Sequence, residues 1–205
     1  LVNIGGTLGP IMAFAVRRTI GIENVFRVSA VSVLLMFLAT VFFFKEPNRL
    51  LEKQVASFAQ AFKNMFVVLG NLRFMTFLLI FSGFWIMFWQ EFIALPLFIR
   101  GYINPNADVD LLTTVDPLAV ILFQILISYL TRKIRPFAAM TAGILITSLS
   151  WLILAVCDLS IQVQTTVRIG SWNLPIQGLP VYALLALGIL AIGEMVQSPR
   201  YYEYV

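Results

Sequence analysis

Long apolar runs, separated by short charged or turn-forming stretches, set the pattern of the chain. Leu1–Val16 is apolar, ends at Arg17-Arg18 and is short for a membrane span. Val25–Phe44 is 20 residues long, holds one early charge, Arg27, and stops at Lys45-Glu46-Pro47. That is a full span with a clean end. Asn48–Asn71 has a different period: Leu51, Val55, Phe58, Phe62, Met65 and Leu69 recur every three or four residues among Arg49, Glu52, Lys53 and Lys63. One apolar stripe on a charged helix predicts an amphipathic linker lying on the membrane surface. Leu72–Ile99 is 28 residues, interrupted by Arg73, Gln90, Glu91 and Pro96, long enough to span with tilt or a proline bend. Three further runs follow, Asp116–Leu130, Phe137–Cys157 and Val181 to about Gln197. The segment Arg100–Thr114 reads as a turn-rich loop, and Asp158–Pro180 as a polar loop with room for a short hairpin.

Composition turns this pattern into a class. Of 205 residues 60% are hydrophobic and 12% charged, with mean hydropathy +0.91, against roughly 45–50% and 25% in soluble domains. A water-soluble globule is excluded. The expected fold is an all-α, polytopic membrane bundle of about six helices, each of about 20 apolar residues. With no His and a single Cys157, the chain lacks a Cys/His zinc site, a disulfide framework and a histidine-based triad. No metal, cofactor or catalytic residue is expected, and the chain does not read as an enzyme. The opening LVNIGGTLGP has neither Met nor a charged leader, and YYEYV follows an apolar run directly. The expectation is an internal segment of a longer protein.

The formal charge of +4 is better explained by loop residues that orient helices than by nucleic acid, which is not an expected partner. Counted over alternate loops, Lys45, Arg49, Lys53, Lys63, Arg73, Arg132, Lys133, Arg135 and Arg200 fall on one side. Arg17, Arg18, Arg100 and Arg168 fall on the other. The linker 45–71 and loop 131–136 are therefore expected in the cytoplasm, in a plasma or inner membrane.

An ionisable group inside an apolar span is a functional hypothesis by default. Glu194 has no basic residue within a turn. It reads either as a carboxylate that exchanges protons or binds a cation in a wet cavity, or as one paired with an Arg of another helix. Asp116, followed by Pro117, reads either as a buried acid or as a helix N-cap. Glu91 faces either a central cavity or the outer interface. Phe84, Trp85, Phe88 and Trp89 are at helical spacing and serve either packing or a solute site. Gly5 and Gly9, and Ala139 and Gly143, have the i, i+4 spacing that permits close helix approach.

Several of these residues resemble a known family. Asn3-x-Gly5-x-x-x-Gly9-Pro10, a span, a charged amphipathic linker, a long span ending in LPLFIR and a short basic loop between two spans resemble the middle of a major facilitator superfamily transporter. The resemblance places the chain at the fifth to tenth of twelve helices. Residues 1–44 would close the N-terminal half, 45–71 would be the linker, and 72–205 would open the C-terminal half. Gly193-Glu194-Met195-x-x-Ser198-Pro199 is similar to the GE(L/M)xxSP signature of proton-dependent oligopeptide transporters. Phe84-Trp85…Gln90 is similar to their seventh helix and Asp116-Pro117-Leu118 to the Asn-Pro-Leu start of their eighth. The resemblance implies solute contacts at Asn3, Trp85, Gln90, Asp116, Glu194 and Ser198, with Glu194 taking the peptide amino terminus. It implies proton coupling at Glu91 and Glu194. The implied partners are a peptide or small-molecule solute, protons and the bilayer. Asp116 departs from the family's asparagine, and an added carboxylate there favours cationic ligands. Gly5-x-x-x-Gly9-Pro10 also resembles the fifth-helix motif of drug/proton antiporters, which makes proton-driven efflux the alternative; Ala13-Phe14 depart from that motif's glycines.

Overall fold

The computed structural model describes residues 2–45, 57–169 and 172–204. Residues 46–56, which hold Arg49, Glu52 and Lys53 of the expected linker, lie outside it. Described helices are α1 (Val2–Ile20), α2 (Glu23–Phe43), α3 (Phe58–Leu69), α4 (Leu72–Phe88), α5 (Ala94–Phe98), α6 (Val109–Leu112), α7 (Val115–Thr131), α8 (Pro136–Val156) and α9 (Val181–Tyr204). Two antiparallel strands, β1 (Gln162–Ile169) and β2 (Trp172–Pro180), make a hairpin between α8 and α9, with a register irregularity between Val163 and Thr165.

Among the described residues five segments are long and apolar enough to cross a membrane: Glu23–Phe43, Leu72–Ile103, Val109–Thr131, Pro136–Val156 and Val181–Tyr201. The chain is thus a helical, multi-pass membrane protein. The first of the six expected runs forms a helix of 19 residues but is not among the five. Its Asn3, three glycines, Pro10 and two arginines dilute the apolar content.

Local chemistry sets the ends. Gly21 turns α1 into α2 with φ +96°, a conformation open to glycine at little cost. Asn71 caps α4 by accepting the Phe74 N–H at 3.2 Å, and Pro136 opens α8 at a position where its missing N–H is harmless. Several helix hydroxyls are satisfied by the backbone of their own helix. Thr7, Ser32, Thr40, Thr131 and Ser148 each donate to the carbonyl four residues earlier at 2.8–2.9 Å. The long third span breaks at a 3-10 turn, Trp89–Glu91, rather than at Pro96. Pro96 falls in the first turn of α5, where no intrahelical N–H is missed.

Two compact units divide the chain, Phe26–Trp89 and Leu1–Val25 with Gln90–Val205. In the first, α4 carries a continuous aromatic row in which Phe81, Phe84, Trp85 and Phe88 lie with centroids 5.1–6.2 Å apart. In the second, the main core gathers Leu95, Ile99, Val109, Leu112, Leu179, Ala183 and Leu187. A smaller one joins Val120 to Ala191 and Met195.

Helices α8 and α9 are in near-backbone contact. A Cβ at Gly143 would meet the Gly193 carbonyl oxygen at 2.7 Å, and one at Gly193 would meet the Gly143 carbonyl oxygen at 2.8 Å. Ala139 is fully buried, so the Ala139/Gly143 pair makes the predicted close approach. Gly5 and Gly9 do not: a Cβ added at either would meet nothing within 4 Å, whereas one at Gly6 would lie 3.2 Å from Pro117. Spacing gave the period of this helix but not its phase.

Candidate functional site

Three helical segments of the second unit bring Glu91, Asp116 and Glu194 together. Glu91 closes the 3-10 turn after α4 and is 2% exposed, with neither carboxyl oxygen hydrogen-bonded. Asp116 is the second residue of α7 and 5% exposed. It is not the cap: Thr114 holds that position, and Asp116 turns inward, leaving Oδ1 without a partner. Glu194, half-buried on α9, is close enough to Asp116 for the two carboxyl groups to interact, and both act electrostatically on Glu91. No Lys or Arg is paired with any of the three among the described residues.

Packing fixes the pair. One turn beyond Asp116, Val120 packs with Ala191 and Met195 on either side of Glu194. Gln124 Nε2 donates to the Met195 carbonyl at 3.3 Å and to Ser128 Oγ at 2.9 Å. Ser198 lies one turn along from Glu194, its Oγ buried and unpartnered. Next to it Gln197 is fully buried, with neither amide atom hydrogen-bonded, and Thr147 and Ser150 of α8 carry unpartnered hydroxyls. Among the described residues no three His, Cys, Asp or Glu are gathered closely enough to hold a metal ion.

A Cβ added at Gly6 of α1 would lie 3.2 Å from Pro117, and Arg17, about 16 Å further along α1 at 1.5 Å per residue, pairs with Asp108 and Asp110. At the opposite end, Arg200 Nη2 donates to the Thr131 carbonyl at 3.0 Å.

The other predicted residues are dispersed. Asn3 sits half-buried on the α1 stripe that includes Gly6 and Thr7, and its carbonyl accepts from Thr7. Gln90 is half-buried beside Glu91. Trp85 belongs to the aromatic row of the other unit.

The largest feature missed by sequence reasoning is ionic. Asp108 has a fully buried side chain that accepts from Arg17 Nη2 at 2.9 Å, from Arg18 Nη2 at 2.8 Å and from the Gln177 N–H at 2.9 Å. Its own N–H donates to the Gln177 carbonyl at 3.0 Å. Asp110 accepts from Arg17 Nε at 2.9 Å and lies 3.7 Å from Arg100. Burial alone pushes the Asp108 carboxyl up; the bonds from Arg18, Gln177 and Arg17 outweigh it and hold the group below the ordinary carboxylate value. The partners lie up to 91 residues apart, so only the double Arg at a run's end hinted at a demand for acids. No family model, curated protein or solved structure matches the chain.

Proposed function

We propose that the protein is a secondary active transporter of the major facilitator type, working by alternating access and carrying small peptides or amino-acid-like solutes in symport with protons. The observation that carries this reading is the gathering of three carboxyl groups, with no Lys or Arg paired to them among the described residues, from three apolar helical segments. Acids within apolar spans are costly in lipid and mark proton and substrate paths. In this reading Glu194 receives the solute's ammonium group, and Glu91 takes up the coupled proton. Ser198, one turn along from Glu194, supplies a polar contact. Asn3, Trp85 and Gln90 come as solute contacts from the resemblance alone, as does the cytoplasmic placing of 45–71 and 131–136.

The test is uptake of a labelled dipeptide into liposomes under an inward proton gradient. Accumulation that collapses with a protonophore is expected, and Glu194→Gln should abolish it while the variant remains folded in the membrane. Normal driven uptake by that variant overturns the role of Glu194. With reconstitution verified, no dipeptide uptake by the unaltered protein overturns the peptide class.

A further inference from the structure

At the end of the second unit where α1 terminates, a cavity of about 290 Å³ lies between Arg17, Arg18, Ile22, Arg100, Asn106 and Gln177. Three guanidinium groups face two carboxylates there, Asp108 and Asp110, which leaves one positive charge unmatched. Asp108 is saturated by its two arginines and the Gln177 N–H, so it holds the arginines in place more than it occupies them. The bonds to the carboxylates and to the Ala107 carbonyl run through Nε and Nη2, and the three Nη1 groups take no part in them. Arg100 is the least committed. Its side chain is 40% exposed, its Nε donates to the Ala107 carbonyl at 3.3 Å, and its nearest acid oxygen is 3.7 Å away.

We infer that this cavity is a binding site for a phosphate-type oxyanion. A guanidinium fork matches such an anion in charge and geometry, and a pre-ordered pair of forks binds it with little loss of freedom. Lipid headgroup phosphate and free phosphate share this chemistry. Ile20 and Ile22, each 57% exposed, put apolar surface beside the arginines, which suits a headgroup with its acyl chains. The site is independent of the acid cluster and of the transport reading.

The experiment uses the protein in phosphatidylcholine nanodiscs and reads its thermal midpoint in two arms. One arm titrates sodium phosphate at ionic strength held constant with chloride; the other replaces phosphatidylcholine stepwise by phosphatidylglycerol. A saturable rise in the first arm supports a free oxyanion, and one in the second supports a headgroup. Arg100→Gln leaves the Arg17/Arg18–Asp108 lock intact and should raise the half-saturating concentration about tenfold or more, the loss of one charge-assisted hydrogen bond. Arg168→Gln, on the exposed β1 strand, should change nothing. The proposal is overturned if neither arm saturates, if Arg100→Gln responds like the unaltered protein, or if Arg168→Gln weakens the response equally.

Discussion

Replacing Gly143 by Ala tests the α8–α9 contact on which the position of Glu194 depends. The added methyl would lie 2.6 Å from Gln197 Cβ, 2.7 Å from the Gly193 carbonyl oxygen and 3.1 Å from the Gln197 nitrogen. Ordinary contact begins near 3.4 Å, so the closest backbone atom is short by about 0.7 Å. Carbonyl oxygens cannot rotate away as a side chain would, and the helices must separate. Overpacking of this kind costs about 1–3 kcal/mol, from which roughly 1 kcal/mol is regained because Ala is the better helix former. The expected net loss is up to about 2 kcal/mol. Gly188, on the same helix as Gly193 and Glu194, has nothing within 4 Å, so Gly188→Ala receives only the propensity gain and should be stabilising by up to about 1 kcal/mol. Denaturant titration in one detergent compares the two directly, and the prediction is of opposite sign. If Gly143→Ala is as stable as Gly188→Ala, the close approach of α8 and α9 is wrong.

Other consequences are open to measurement. Asp108→Asn keeps the shape but removes the charge that two arginines share; a loss of about 1–3 kcal/mol in thermal unfolding is expected, with faster amide exchange in β2. Because the Asp108 carboxyl is held below its ordinary value in the folded state, its contribution is present above the unfolded value near 3.8 and falls away as pH drops through the depressed one. Acid unfolding of the Asn variant should therefore lack that part of the pH dependence. Gln197→Met replaces a buried amide with no partner by an apolar group of similar size, so stability should rise by about 1–3 kcal/mol; a fall would mean that the amide is satisfied. Asp116→Asn removes one carboxyl group from the acid cluster, and driven uptake should drop with it; unchanged uptake would separate Asp116 from coupling.

The parts of the structure legible in the sequence were those with a local signal. Apolar runs bounded by Arg17-Arg18, Lys45-Glu46-Pro47 and TRKIRP mark helix ends to within a few residues of those found for α2, α7 and α8. Glu194 was visible because a lone acid in an apolar run is costly wherever it points. Its partner was not. Asp116-Pro117 carries the local pattern of a cap, and only the packing of α7 on α9 turns that carboxyl inward. The phase of α1 was hidden for the same reason: Gly5 and Gly9 have the right spacing, but the side of the helix that meets α7 is chosen by Pro117. Asp108 sits in a string of turn formers, and nothing within ten residues shows that two arginines will close on it.

The Arg17/Arg18–Asp108 lock also sets an order of events during synthesis. Its acid is made 90–91 residues after its bases, and Gln177, which completes it, 69 residues later still. At about 5–20 residues per second, α1 waits some 5–20 s with two unneutralised arginines at its end before Asp108 emerges. Over that interval α1 has no ionic tie to α6, and the charges themselves favour keeping its end at the water interface. The hairpin can then dock only after β2 is made, so the lock is completed only shortly before α9 is synthesised.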